Sequence, residues 1–276
     1  MPEPDRLALP AGFLHLQKGL AMQLATWNVN SLKVRLPQVL DWLGSNPVDV
    51  LCLQELKLEQ DKFPLADIEA AGYRAVWLGQ KTYNGVAILV RAPLAPLEPV
   101  AGMPGYDDPQ ARVIAATIDD VRVVCAYCVN GEAVDSDKYR YKLEWFARLH
   151  AYLAAERERH PKLVLTGDFN IAPDDRDVYN PESWAGKVLC SVPERQAFDD
   201  LLELGLVDAF RQLHDGDGHY SWWDYRQGMF RRDKGLRIDH VLLSAPLAAS
   251  LEACHIDKVP RGWERPSDHA PVVARF

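Results

Sequence analysis

The stretch Leu163-Val164-Leu165-Thr166-Gly167-Asp168-Phe169-Asn170 joins a short apolar run to the polar sequence D-x-N. A run of this length, rich in Leu and Val, is typical of a buried β-strand. Other apolar runs of the 276-residue chain are also bordered by polar side chains, at Asn28, Gln54-Glu55, Arg237-Ile238-Asp239-His240 and Pro266-Ser267-Asp268-His269. Because the strand ends of a layered α/β fold can converge on one pocket, these polar groups predict a common site.

The remaining pattern predicts an α/β fold of two packed, mixed β-sheets flanked by helices. Apolar runs predict strands at Leu24–Val29, Val48–Leu53, Gly85–Val90, Arg112–Ile118, Val121–Tyr127, Leu163–Thr166, Ile238–Leu243 and Val272–Phe276. Helical periodicity predicts helices at Lys33–Gly44, Asp137–Arg159 and Arg195–Leu204. These strands are too many for a single open sheet, which favours two sheets with helices outside.

The domain organisation follows from the position of the first strand. The strand begins just after Met22, so residues 1–21 are predicted to be a poorly ordered N-terminal extension and residues 22–276 a single catalytic domain. Glu3 and Asp5 stand where a signal peptide carries positive charge, and no apolar run reaches membrane-spanning length. We therefore expect a cytoplasmic protein with no membrane partner.

Cysteine usage agrees with a reducing compartment. The chain has five cysteines, an odd number. Cys125 and Cys128 form a C-x-x-C sequence, which could belong to a redox centre or to half a zinc site. Positions three apart on a strand point to opposite faces, so we expect both to be core residues.

The polar strand ends suit hydrolysis of a phosphodiester. Carboxylate and amide oxygens favour Mg²⁺, so Glu55 is the first candidate ligand, with an amide oxygen from Asn28 and a carboxylate from Asp268. His269 can offer charge or a proton to a phosphoryl oxygen, with Asp239 as the carboxylate that orients it. Asp168 is left to accept a proton from water or to give one to the leaving oxygen, while Asn170 could hydrogen-bond the phosphate or position that water.

Each of these residues alone also has a purely structural interpretation. An Asp or Asn at a strand end often forms a turn or caps a helix, and a single His is often a hydrogen-bonded structural residue. The net charge of −8 also disfavours a nucleic-acid partner unless Lys and Arg cluster locally. The recurrence of such residues at several strand ends favours the catalytic interpretation.

Six short motifs follow one another along the chain: W-N-V-N, L-Q-E-x-K, Y-N-G-V-A, G-D-F-N-I-A-P, G-L-R-I-D and P-S-D-H-A-P. In sequence and order they resemble the motifs of the exonuclease III family of apurinic/apyrimidinic (AP) endonucleases, within the endonuclease/exonuclease/phosphatase superfamily. The resemblance runs from about Met22 to Phe276. The resemblance implies a four-layer α/β sandwich that uses Mg²⁺ or Mn²⁺. It also implies incision 5′ to abasic sites and removal of 3′ blocking groups, with double-stranded DNA bound by a monomer.

The resemblance also assigns residues. It matches Asn28 and Glu55 to the metal site, Asp168 with Asn170 to the D-x-N pair, and Asp239 with His269 to the Asp/His pair. It also implies that Asp268 is the acid beside that histidine and that Tyr127 contacts the phosphate or takes part in proton transfer. The sequence departs from the family at Cys128-Val129-Asn130-Gly131, where many relatives have proline, and at His240, where an apolar residue is common.

A DNA surface is expected around the strand ends. Trp222 and Leu236 fall in the region that the family uses to wall the pocket for the abasic sugar, whereas Trp223 is expected in the core. Contacts to the DNA backbone are assigned to Arg35, Lys57, Tyr83, Asn84, Arg112 and Arg226. The wider basic surface is assigned to residues that include Lys138, Arg140, Lys142, Arg231, Arg232 and Lys234.

Two alternatives are disfavoured and one stays open. Phosphoinositide phosphatases, sphingomyelinases and secreted DNase I-like enzymes share the superfamily chemistry, but the secreted enzymes would be expected to carry a signal peptide and disulfides, and the lipid and inositol enzymes usually lack the combination of G-L-R-I-D and W-x-D-Y. A catalytically silent DNA-binding protein could share the fold, but it would be expected to have lost the metal carboxylate or the D-x-N, and both are present. Within the nuclease interpretation, the balance between AP endonuclease and 3′-exonuclease or 3′-phosphatase activity depends on pocket dimensions that the sequence does not give.

Overall fold

The structure is a computed structural model that describes residues 21–276, so nearly all of the predicted extension at residues 1–21 lies outside the described residues. Within that range the strands form two six-stranded sheets. The strands are β1 (Gln23–Asn28), β2 (Val50–Gln54), β3 (Tyr73–Leu78), β4 (Val86–Arg91), β5 (Leu97–Ala101), β6 (Val113–Ile118), β7 (Val121–Tyr127), β8 (Leu163–Asp168), β9 (Leu206–Asp208), β10 (Asp239–Ser244), β11 (Ala253–Ile256) and β12 (Val272–Arg275).

The α-helices of the described range connect and cover these strands. They are α1 (Leu32–Ser45), α2 (Leu65–Ala70), α3 (Asp137–Arg159), α4 (Pro181–Trp184), α5 (Val192–Glu203), α6 (Ala209–Leu213) and α7 (Ala245–Ala248). The longest, α3, has the predicted bounds, since the Ser136 side chain accepts the N–H of Tyr139 at its start and Arg157 and Arg159 lie in its last turn. Helix α5 begins earlier than predicted because Ser191 and Glu194 form a capping box.

Each sheet has a parallel pair of strands near its centre. The first sheet has the order β11-β12-β1-β2-β4-β3, and the second has the order β5-β6-β7-β8-β10-β9. Strands β1 and β2 are parallel, as are β7 and β8, and the other pairs are antiparallel. In this register Asp168 lies opposite Tyr127 on one side and Asp239 on the other. The sheet register therefore brings three of the predicted site residues side by side.

The core has three main parts, which give the predicted four layers. Apolar side chains from both sheets, including Cys52 and Cys125, pack between the sheets. Side chains of α3 and α5, among them Trp145, cover the outer face of the second sheet, and side chains of α1 and α2, among them Trp42, cover the first. Full burial of one large apolar side chain stabilises the fold by about 1.5–3 kcal/mol, so these layers dominate the favourable side of folding.

The cysteines lie where the strand geometry predicts them. Cys125 packs between the sheets, whereas Cys128 packs between the second sheet and its helices. All five cysteines lie within the described residues and are buried as free thiols. The C-x-x-C sequence is therefore part of the core.

All predicted strands are present, and no strand end is shifted by more than two residues. The four strands that were not predicted are β3, β5, β9 and β11, which are the outermost strands of the two sheets. Among the described residues, no helix combines the length and the apolar character needed to cross a membrane.

Candidate active site

The predicted Asp/His pair forms at the edge where the strand ends meet. His269, in the loop before β12, shares a hydrogen bond between Nδ1 and Asp239 Oδ2 at 2.9 Å. Its other ring nitrogen, Nε2, lies 3.7 Å from Asp168 Oδ2. Asp239 is the first residue of β10 and Asp168 the last of β8, and the two are paired in the sheet register. The backbone of the sheet thus places one carboxylate on each side of the imidazole.

Ser221 supports this pair and was not predicted. Its Oγ donates to Asp239 Oδ2 at 2.6 Å and accepts the backbone N–H groups of Ile238 and Asp239, each at 3.1 Å. Ser221 is fully buried. The hydroxyl therefore fixes both the side chain and the backbone of Asp239.

Asn28 joins two carboxylates of the site. Its Nδ2 donates to Glu55 Oε1 at 2.9 Å and to Asp168 Oδ2 at 2.8 Å. Its Oδ1 accepts the backbone N–H of Asn30 at 2.9 Å, which fixes the orientation of the amide. Asn28 Oδ1, the predicted metal ligand, therefore has one lone pair left for a cation, and the amino group of the same amide faces the carboxylates.

Glu55 lies at the open side of the cluster. Besides Asn28, its Oε1 accepts the Tyr127 hydroxyl at 2.9 Å, and its Oε2 pairs with Lys57 Nζ at 2.8 Å. Lys57 also donates to Asn30 Oδ1 at 2.6 Å. The side chain of Glu55 is 17% exposed, so solvent reaches this carboxylate.

Asp268 occupies an outer position. Its Oδ1 accepts from Asn30 Nδ2 at 2.9 Å, and its Oδ2 accepts from Trp222 Nε1 at 3.0 Å. Both oxygens are thus already hydrogen-bonded, and Asp268 could bind a cation only through lone pairs that remain on them. In this structure Asp268 fixes the position of the Trp222 indole.

The D-x-N turn is closed by its own side chains. The backbone N–H of Asn170 donates to Asp168 Oδ1 at 2.9 Å, and Asn170 adopts a left-handed backbone with φ of 50°. Asn170 Nδ2 donates to the carbonyl of Cys128 at 3.1 Å, and Asn130 Nδ2 donates to Asn170 Oδ1 at 2.9 Å. The segment that departs from the family, Cys128–Gly131, is therefore bonded directly to a predicted catalytic residue.

Burial and charge set the protonation of the site. Burial raises the pKa of Asp168, and the His269 imidazolium only partly offsets this. Burial alone lowers the pKa of His269, but Asp239 and Asp168 reverse the effect and raise it to about 10. Burial also raises the pKa of Tyr127, so it remains a phenol that donates to Glu55. The site holds a charged imidazolium beside a carboxyl group that gains a proton readily.

The donor set fits a hard divalent cation. Within residues 21–276, ligand atoms of Asp168, Asp239 and His269 lie within 4.8 Å of one another. Asn28 holds Glu55 beside this group. The carboxylates outnumber the cationic partners of the cluster, His269 and Lys57. A cation with oxygen ligands would relieve that excess of negative charge.

The residues predicted to wall the sugar pocket lie beside the site, but only one of the two has exposed surface. Trp222 is partly exposed, and its backbone pairs with Leu236 and His269. Leu236 has no exposed surface, so it cannot touch DNA itself and instead packs behind Trp222. Trp223 is fully buried, as expected for a core residue.

The predicted DNA contacts divide into exposed and enclosed residues. Tyr83 is 67% exposed, and Arg226 is exposed beside its partner Asp224. Arg35 donates to the backbone carbonyls of residues 30, 265 and 266, so in this structure its guanidinium connects two loops of the site. Asn84 and Arg112 are largely buried, but both line a cavity of about 850 Å³ that also reaches Tyr127 and Lys138.

Two residues outside the core of the site, Lys142 and His240, are buried. Lys142 was placed on the basic surface, but it is fully buried and paired with Glu194, so that prediction is wrong. His240, the second departure from the family, is buried between Arg237 and the carbonyl of Ile171. Burial and the Arg237 charge lower the pKa of His240 to about 4, so it is a neutral structural residue.

Comparison with known proteins agrees with this geometry. The profile of the endonuclease/exonuclease/phosphatase family matches residues 25–269. Exodeoxyribonuclease III of Haemophilus influenzae is 34% identical over 271 residues, which cover 92% of this chain and 100% of that protein.

Two solved structures are similar over nearly their whole length. The structure of the 3′ phosphatase NExo from Neisseria, bound to product DNA hairpin, is 56% identical with a TM-score of 0.91, covering 93% of this chain and 99% of that chain. An AP endonuclease from Archaeoglobus fulgidus is 39% identical with a TM-score of 0.88, covering 92% of this chain and 99% of that chain. Fold and site thus point to the same group of proteins.

Proposed function

The chain belongs to the endonuclease/exonuclease/phosphatase family, and we propose that it is a Mg²⁺-dependent DNA repair enzyme that hydrolyses phosphate esters at 3′ oxygens of duplex DNA. Its substrates are abasic sites, which it incises on the 5′ side, and blocked 3′ ends. The observation that carries this proposal is the buried His269–Asp239 pair facing Asp168, with Glu55 held beside it by Asn28. All residues of the site come from one chain, which supports a monomeric enzyme. We place the protein in the cytoplasm.

The residues of the site have separate tasks in this reaction. The imidazolium of His269, oriented by Asp239, donates to a phosphoryl oxygen and stabilises the charge that develops there. Asp168 moves the proton, since its raised pKa lets it take one from the attacking water or return one to the leaving oxygen. Asn170 and the Tyr127 phenol, which donates to Glu55 in this structure, would hold the phosphate.

A bound Mg²⁺, for which Mn²⁺ can substitute, would neutralise phosphoryl charge and polarise the ester. Glu55 is the residue best suited to hold it, because its carboxylate is partly open to solvent and lies beside Asp168 through the shared Asn28 amide. Asp268 would act from the outer position already described.

The wall of the pocket supports selection of damaged DNA. Trp222 stands beside His269 and is held by Asp268, so it borders the place where the sugar of the reacting nucleotide would enter. A sugar without a base leaves the helix stack at low cost and fits a pocket that a base would not. This wall therefore favours abasic sugars and small 3′ groups.

A second candidate is an enzyme that mainly processes 3′ ends and incises abasic sites weakly. One observation favours it: identity is 56% with the Neisseria 3′ phosphatase and 39% with the Archaeoglobus AP endonuclease. The two candidates share every catalytic residue and differ only in the substrate they prefer.

The ranking of substrates distinguishes the two candidates. The purified full chain with Mg²⁺ is given three labelled duplexes, carrying one tetrahydrofuran abasic analogue, a nick with a 3′-phosphate, or no lesion. Comparable kcat/KM on the first two supports the repair enzyme with both activities, and rapid phosphate release without incision supports the 3′-end enzyme. If none of the three duplexes is cleaved with either Mg²⁺ or Mn²⁺, both candidate functions are rejected. Phosphorylated lipids and inositols would then be the next substrates to test.

A further inference from the structure

Lys142 of α3 is a lysine with no exposed side-chain surface beneath the catalytic turn. Its Nζ donates to the backbone carbonyl of Asn170 at 2.7 Å, to the carbonyl of Asn130 at 3.1 Å and to Glu194 Oε1 at 2.5 Å. An ammonium group has three N–H donors, so these three partners use all of them. The ammonium is therefore held in one geometry.

The acceptors of Lys142 come from three separate parts of the chain. Asn130 lies in the loop after β7, Asn170 in the turn after β8, and Glu194 in the first turn of α5. Glu194 is itself tied to the chain before α5, because it accepts the N–H groups of Leu189 and Ser191 at 2.9 and 3.0 Å. One buried ion pair thus connects three segments around the site.

The loop after β7 is shaped to close over the stem of this lysine. Gly131 has a φ of 96°, and a Cβ at this position would lie 3.1 Å from Lys142 Cδ and 3.2 Å from Val188 Cγ2. A side chain here would strain the backbone and press on the lysine. Glycine therefore lets the loop close tightly enough for the Asn130 carbonyl to reach Nζ.

The bonds of Lys142 fix Asn170 at two points. Nζ binds the Asn170 carbonyl directly, and it binds the carbonyl of Asn130, whose side chain holds Asn170 Oδ1 at 2.9 Å. The backbone N–H of Asn170 in turn holds Asp168 Oδ1. A buried ion pair is often no more stabilising than apolar residues of the same shape, so stability alone does not account for it.

We propose that Lys142, supported by Glu194, is a positioning residue that sets the Asp168–Asn170 turn for hydrolysis. This inference rests on the proposed function, because it concerns the rate of that reaction. Lys142 itself does not touch the substrate. It acts through the carbonyl of Asn170 and the side chain of Asn130.

The test removes the pair while keeping its shape. The double variant Lys142→Met/Glu194→Gln leaves no buried charge unpaired but deprives the Asn130 and Asn170 carbonyls of their donor. Misplacement of a catalytic group by about 1 Å can cost about 100-fold in rate, so we expect kcat to fall by about 10- to 100-fold. KM should stay within about 2-fold, since the DNA surface is unchanged.

A matched control is available in the same sheet. Arg122 and Glu156 form a second buried pair, with side chains 3% and 2% exposed, at the start of β7 and away from the site. The variant Arg122→Met/Glu156→Gln should change the melting temperature but leave kcat of the folded protein as in wild type. Equal kcat in the Lys142/Glu194 variant and this control would overturn the proposal.

A spectroscopic readout separates this inference from the proposed function. In the metal-free protein, the backbone and side-chain amide signals of Asn170 should shift in the Lys142/Glu194 variant and not in the control. Unchanged Asn170 signals would overturn the proposal whatever the activity on DNA, whereas inactive wild-type protein with shifted signals would reject only the function.

A surface variant covers the case in which the double variant does not fold. Asn130 is exposed, and Asn130→Ala removes the link between its loop and Asn170 without disturbing the buried charges. The proposal expects kcat to fall with KM retained. A kcat equal to that of wild type would overturn it.

Discussion

The replacement Asp239→Asn tests how the histidine of the site is charged. Asp239 binds His269 Nδ1 at 2.9 Å and contributes most to the raised pKa of His269, followed by Asp168. The pKa rises from an ordinary 6.5 to about 10, a difference worth on the order of 5 kcal/mol at about 1.4 kcal/mol per pKa unit. Asparagine has almost the same shape and no charge, so it removes the largest of the contributions that raise this pKa.

The expected result is a histidine that loses its proton at lower pH. A group whose folded pKa is raised stabilises the fold below its unfolded pKa, near 6.5 here, and loses that contribution as pH rises towards 10. In Asp239→Asn the folded pKa of His269 is lower, so the imidazolium should lose its proton within the ordinary assay range of about pH 7–9, where the wild-type histidine stays charged. With Mg²⁺ and DNA, the variant should retain relatively more activity at pH 6 than at pH 9.

The direct measurement is an NMR titration of His269 in metal-free wild type and in Asp239→Asn, followed by pH–rate profiles of both. Asp257→Asn, which removes a carboxylate that is bonded to Trp42 and not to His269, serves as the control and should leave the titration unchanged. A neutral His269 in wild type at pH 7, or the same titration in wild type and Asp239→Asn, would refute the reasoning.

Three further perturbations test neighbouring parts of the site. Ser221→Ala removes the hydroxyl that bonds to the backbone N–H groups of Ile238 and Asp239 and to the Asp239 carboxylate. We therefore expect the free energy of unfolding in urea to fall by about 2 kcal/mol and kcat to decrease. Unchanged stability would contradict this. Burial raises the pKa of Asp168, so the metal-free fold loses stability as pH rises from about 3.8, the unfolded value, to the raised folded value. Mg²⁺ should therefore raise the melting temperature more at pH 8 than at pH 5, and Asp168→Asn should abolish the difference. Trp222→Ala should lower the ratio of kcat/KM between an abasic analogue and an intact 3′ nucleotide, whereas an unchanged ratio would exclude it from the pocket wall.

The predicted strands and the missed ones differ in where they lie in the sheets. A central strand is covered on both faces, so a continuous apolar run such as Leu163–Leu165 marks it in the sequence. β5 has mostly exposed side chains in the sequence Leu97–Ala101, and the other missed strands are also edges. Edge strands carry mixed residues and need pairing partners that only the tertiary fold supplies.

Site residues could be predicted from the sequence where the type of side chain alone indicates its chemistry. Asp168, Asp239 and His269 meet because strand ends meet, and the sequence shows which strands end in such residues. The orientation of the Asn28 amide was not predictable, because it depends on the backbone N–H of Asn30. Ser221 gave no signal either, since a single buried serine has no sequence pattern.

The burial of Lys142 could have been predicted. Along α3, the buried residues Tyr139, Phe146, Leu149 and Leu153 follow helical spacing, and Lys142 falls on the same stripe. A lysine on an apolar stripe needs an acidic partner, and the sequence alone does not show that Glu194 of another helix supplies it. Counting charged residues near a site therefore overestimates the surface available to DNA.

In the proposed function, the Asp168–His269–Asp239 group hydrolyses DNA with the help of a divalent cation. The most direct measurement is single-turnover cleavage of an end-labelled duplex with a 3′-phosphate nick or an abasic analogue, over a Mg²⁺ titration, by wild type and Asp168→Asn. We expect product only with the metal, none after EDTA, and a rate at least about 1,000-fold lower in the variant. Equal rates in wild type and variant, or no cleavage by wild type with Mg²⁺ or Mn²⁺, would contradict the claim.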